Sequence, residues 1–151
     1  MNAADLPEKP RRVKITVDVP VEEIDAFHAM VREFHCGTTK HHAELRQHAE
    51  DREQGATSLS HLYNIAQGSS GQCRFIARFI AGLYNGTRFP FDLTDFRGLD
   101  RELFEHCLAV LRLDYQPVKE AHRYFDDGQS KWERMVKDWD IKDRSEREQS
   151  P

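Results

Sequence analysis

The sequence has no run of apolar residues approaching the ~20 needed for a membrane-spanning helix, and its first residues lack the charged-then-apolar layout of a secretory signal. A cytoplasmic, soluble protein with no membrane contact is the expectation. Closely spaced cysteines are missing too: Cys36, Cys73 and Cys107 are odd in number and far apart. They compose neither a disulfide framework nor a paired zinc pattern. Two of them fall on apolar helical stripes, where a buried free thiol is the plain reading. Charge of one sign is not in excess, with 22 Lys and Arg against 26 Asp and Glu and a net charge of -4. Such a balance argues against coating nucleic acid by bulk electrostatics and leaves room only for a local basic strip. Nothing in the spacing of serine, histidine and aspartate indicates a catalytic triad, which is defined by geometry, so no catalytic residue is assigned. No cofactor is implied.

What is present is a chain of 151 residues with a dense centre. Nearly half of the residues from 57 to 125 are apolar, against under a third elsewhere, so a single core belongs in that stretch. With 38% hydrophobic and 32% charged residues and a mean hydropathy of -0.75, the surface is generously solvated. The punctuation divides the chain into a disordered tail at 1–11, a strand–helix–helix region at 12–56, a helical core module at 57–125, a Trp-bearing helix at 126–142 and a second disordered tail at 143–151. The expected fold class is mainly α: a compact helical module, with an N-terminal β-strand plus helix before it and a C-terminal amphipathic helix after it.

The strand is expected where Val13, Ile15, Val17 and Val19 alternate with polar residues, the period of a half-buried strand. Pro20 then suits a helix's first turn, Glu22 and Glu23 complement its dipole, and Ile24, Phe27, Val31 and Phe34 form a helical stripe. A more polar helix is expected from about Thr39 to Gln54, with Gly55 as its stop. In the central module Leu59, Leu62, Ile65 and Ala66 share a helix face, and Ser69 with Gln72 reads as a capping box. Phe75, Ile76, Phe79, Ile80 and Leu83 line the helix that follows. Asp92 and Asp100 read as caps of later turns. Ser130 and Glu133 read as a second box before the stripe of Trp132, Met135, Val136 and Trp139.

Two resemblances follow from these residues. Gly71-Gln72, Leu83-Tyr84-Asn85-Gly86, Phe91-Asp92-Leu93-Thr94-Asp95 and Leu108-Ala109-Val110-Leu111 resemble an uncharacterised bacterial domain of unknown function. It is seen in small proteins often carried on plasmids and integrated mobile elements. With its flanks this likeness covers residues 57 to 125; it implies a domain and a bacterial setting and carries no chemistry. Residues 12–49 are similar to a ribbon–helix–helix unit: a strand, Pro20, an acidic-started helix, the turn Cys36-Gly37-Thr38 and a second helix. That resemblance implies a homodimer through the strand at 12–19, inserted into the major groove of duplex DNA. Arg12, Lys14 and Thr16 would be the DNA-facing residues. The plainer alternative is a strand that completes the fold or pairs with a twin subunit.

Other candidates stand beside bland readings. His41, Glu44 and His48 share one face of the polar helix and are side chains a transition metal accepts, yet a solvated charge-rich helix accounts for the same residues. Arg74 and Arg78 lie one turn apart beside Gly68-Ser69-Ser70-Gly71, a stretch that lacks the lysine of a nucleotide-binding loop. Trp132 and Trp139, with Arg74 and Arg78, are the candidate partner-binding residues. The leading functional expectation is a non-enzymatic accessory or interaction protein that binds another macromolecule, its protein partner unidentified. A ribbon–helix–helix DNA-binding regulator is the alternative, and an uncharacterised enzyme or metal-binding protein comes third.

Overall fold

In a computed structural model the described residues are 12 to 145. The tail expected at 1–11 lies outside them, as does the part of the second tail beyond Ser145. Five α-helices are formed among the described residues: α1 (Ile24–His35), α2 (Lys40–Ile65), α3 (Gly71–Tyr84), α4 (Arg101–Tyr115) and α5 (Gly128–Asp138). Short 3-10 turns at Val21–Glu23, Leu93–Gly98 and Ala121–Tyr124 punctuate them. None of these helices is long and apolar enough to cross a membrane. The chain divides into two compact units, Met1–Ala43 and Glu44–Pro151.

The expected β-strand is corrected by this structure: the described residues contain no strand. Val13, Ile15 and Val17 are 83%, 79% and 58% exposed. Alternation marks which side chains could share a face, but a strand exists only where a neighbour completes its hydrogen-bond ladder, and no described segment does so. The fold is mainly helical without the N-terminal β element.

In the first unit α1 is stopped by a tight turn. Gly37 takes φ +67, and its N–H donates to the Phe34 carbonyl while that of Thr38 donates to Glu33. This left-handed position favours glycine because a Cβ would crowd the following carbonyl. Thr39 then accepts from the His42 N–H, and the His42 ring meets Phe34 edge-on at 5.0 Å. No residue of α1 is buried.

The core of the second unit is one continuous cluster. Leu59 and Leu62 of α2, Ile76 and Ile80 of α3, Cys107 and Val110 of α4, and Trp132 and Met135 of α5 all belong to it. Gly55, expected to end a helix, sits inside α2 and is buried. A Cβ there would collide with the Leu113 side chain and the Ala109 carbonyl oxygen of α4. The glycine is a close-approach point between two helices, so α2 runs straight through the boundary expected at residue 56.

Capping follows the expected chemistry with shifted partners. Ser70, rather than Ser69, caps α3 by accepting from the Cys73 N–H, and Gln72 instead accepts from the Asp100 N–H at 2.8 Å. Asp92 accepts from Thr94 and Asp100 from Leu103, as read from sequence. The box at Ser130 and Glu133 is not formed: Asp127 precedes α5 at φ 53 without a side-chain cap.

Candidate functional site

The most concentrated chemistry on the second unit is a basic cleft, and local structure explains each wall. Arg74 and Arg78 are four apart on α3, hence on one face, opposite the buried Ile76 and Ile80. Where α3 ends, the Asn85 side-chain oxygen accepts from the Arg88 N–H at 3.0 Å and its carbonyl from the Phe89 N–H at 2.8 Å. This turn drives Phe89 into the core, followed by Pro90. The far wall comes from the end of α5. Asp140 takes φ 49, its N–H bonding to Lys137 and that of Ile141 to Val136, which reverses the chain just past the helix. Residues 141–144 then run beside the turn at Arg88, whose carbonyl accepts from the Arg144 N–H at 3.0 Å. The result is a cleft of about 370 Å³ lined by Arg74, Arg78, Lys142 and Arg144, with Phe89, Pro90 and Ile141 as its apolar surface and Asp140 as its acid.

An ion network fixes that second wall. Arg88 donates to both carboxylate oxygens of Glu133 and, through Nε, to Asp143 at 2.7 Å. The Tyr84 hydroxyl donates to the same Glu133 at 2.9 Å. Hydrogen bonds from Arg88 hold the Glu133 carboxyl below its ordinary range. Bonds from the Ser145 hydroxyl, and then from Arg88, do the same for Asp143. The Arg88 guanidinium is in turn held more firmly protonated, chiefly by Glu133. Burial, and then the bond to Glu133, pushes the Tyr84 phenol up. The second tail, expected to start at residue 143, thus opens with a residue tied to the core unit. Arg78 also pairs with Asp95 of the Leu93–Gly98 turn at 2.7 Å.

The other sequence candidates scatter. Arg12, Lys14 and Thr16 are exposed along an irregular segment. His41 and Glu44 are exposed on α2 and His48 is half-buried; among the described residues no group of three or more His, Cys, Asp or Glu is arranged to hold a metal ion. Trp132 is fully buried, its indole N–H donating to the Ile80 carbonyl at 3.0 Å and its ring stacked on Tyr63. It is a core residue and offers a partner no surface. Trp139 is half-buried and donates to the Ala66 carbonyl at 2.7 Å. Only Arg74 and Arg78 of that set face open space together.

One constellation had no sequence signal. Buried Ser58 lies 3.0 Å from His106 Nδ1, and the His61 ring stands 4.5 Å from that of His106. Forty-eight positions separate Ser58 from His106, so only the crossing of α2 and α4 brings them together. Ser58 sits mid-helix, where neighbouring backbone N–H groups are engaged in the helix ladder and cannot turn toward an oxyanion. The pair works as a satisfied buried hydroxyl.

A family model described as a family of unknown function (DUF7673) matches residues 56–140. The match begins where the sequence resemblance did and runs past residue 125 to take in α5, in keeping with Trp132 at the centre of the core. No curated protein matches the chain, and no solved structure matches it.

Proposed function

The chain belongs to that family of unknown function, DUF7673, and from this premise we propose that it is a non-enzymatic accessory protein that binds another macromolecule. The setting is the cytoplasm of a bacterium carrying a mobile element, as the resemblance over residues 57–125 implies. The observation that carries the reading is α1. Its apolar side chains recur at helical spacing, yet Met30 and Phe34 are 55% and 58% exposed, Ile24 is exposed, and no residue of the helix is buried. A helix of 12 residues is marginal alone in water, because nucleation is unfavourable and packing supplies most helical stability. An apolar stripe left in water forgoes ~25 cal/mol for every Å² that a partner could cover. A protein surface with a matching apolar groove is the partner chemistry this face fits. No observation favours duplex DNA as that partner.

Photo-crosslinking from position 30 in the producing cell, with sedimentation velocity on the purified chain, tests this. The expected result is a crosslinked species of defined mass, lost in Phe34→Asp and Ile24→Asp. A chain that stays uncrosslinked in the cell and monomeric at every concentration overturns it.

A further inference from the structure

The basic cleft of the second unit is independent of α1 and has its own electrostatic logic. Four cationic side chains meet there within a chain of net charge -4. Nearby cations are compensated: Arg88 by Glu133 and Asp143, and Arg78 in part by Asp95. Among the described residues Arg74, Lys142 and Arg144 have no ion-pair partner, although acidic residues outnumber basic ones overall. Gathering like charges costs free energy that a bound anion relieves. The reversal at Asp140 and the Arg144–Arg88 backbone bond hold Lys142 and Arg144 opposite α3 in advance, and such preorganisation lowers the ordering cost of binding.

The shape narrows the ligand. A volume of about 370 Å³ falls in the range of small-molecule sites, roughly 300–1,000 Å³, and is small for a nucleic-acid groove or a protein face. Guanidinium forks match phosphate oxygens bidentately, and an ammonium adds a point charge. With Asp140 also in the lining, the excess of positive charge suits an anion carrying two or three negative charges. The apolar wall of half-buried Pro90 and Ile141, backed by Phe89, leaves a place for an organic body attached to it. We propose that this cleft binds the diphosphate group of a small molecule, gripped by Arg74, Arg78, Lys142 and Arg144.

Calorimetric titration of the full-length chain at low salt, with pyrophosphate and separately with ADP, tests the site. Saturable binding is expected, weakened by roughly tenfold in Arg74→Ala and in Lys142→Ala, the effect of one charge-assisted hydrogen bond. It should be unchanged in Arg101→Ala, an exposed position on α4 that lies outside the cleft lining. All three side chains are exposed, and matching melting curves for the variants confirm that folding is intact. ADP binding more tightly than pyrophosphate supports the site and assigns the apolar wall to the organic body; equal affinity supports it with the anion alone recognised. Three results overturn it: no binding of either probe at low salt, sulfate competing as well as pyrophosphate, or a DNA duplex that binds this face and is not displaced by pyrophosphate.

Discussion

At the scale of the residue, two groups whose protonation the fold has altered make sharp predictions. Glu133 is held below its ordinary range by Arg88 and then by the Tyr84 hydroxyl. A carboxyl depressed in the folded state stabilises the fold in full above its unfolded value, about 4.3, and that contribution is lost as pH falls through the lower folded value. Arg88 stays charged throughout and adds nothing to the acid limb. Glu133→Gln should therefore destabilise the protein by about 1 kcal/mol near neutrality, the pair being partly exposed and solvent-screened. The gap between variant and parent should close in strong acid, as read by urea melts across pH. A gap independent of pH would show that packing, and not charge, accounts for the loss. Cys107 is the opposite case: burial pushes its thiol up to about 12, which leaves almost no thiolate to react. With an alkylating reagent at mildly alkaline pH, exposed Cys36 should be modified first and Cys107 only on unfolding. Mass mapping of the native protein after brief treatment checks the order.

Among the elements, α2 shows how a helix former and a helix breaker exchange roles. Glycine inside a helix ordinarily costs about 1 kcal/mol relative to alanine, so Gly55→Ala in an isolated helix would stabilise. Here the added methyl meets Leu113 and the Ala109 carbonyl, and backbone cannot retreat as a flexible side-chain end can. The expected net effect is a loss of about 1–2 kcal/mol, overpacking outweighing propensity. Chemical denaturation with an unchanged slope would confirm it, and a gain in midpoint would contradict the close crossing. Helix α5 makes the complementary point. Its stripe of Trp132, Met135 and Val136 was legible as a face in need of cover, but its destination was not. The Ile80 carbonyl takes the indole proton of Trp132, and the core closes over the ring.

For the molecule as a whole, the core cluster lies entirely within Glu44–Pro151, and the unit that carries α1 buries no described residue. Phe34→Asp should thus leave the melting temperature of the isolated chain within about 1 °C of the parent, as exposed substitutions usually do, while removing the contact proposed for α1. A fall of several degrees would mean that α1 contributes to the folding of the free chain.

What the amino-acid order determined by itself was local. It determined the helical periodicity between residues 57 and 125, the caps at Asp92 and Asp100, and the apolar stripes of α1, α3 and α5. Each rests on residues within about two helical turns of one another, where geometry is fixed by the backbone. Everything that required a second segment was decided by tertiary structure. Residues 12–19 have the alternation of a strand but no ladder to join, and Gly55 reads as a stop until α4 crosses it. Glu133 reads as a capping residue until Arg88 arrives from 45 positions away, and Lys142 reads as the end of a helix and Arg144 as tail until the turn at Asp140 folds them toward α3. A strand, a close crossing, an ion pair and a binding cleft are each properties of two surfaces, and periodicity along one chain segment describes only one of them.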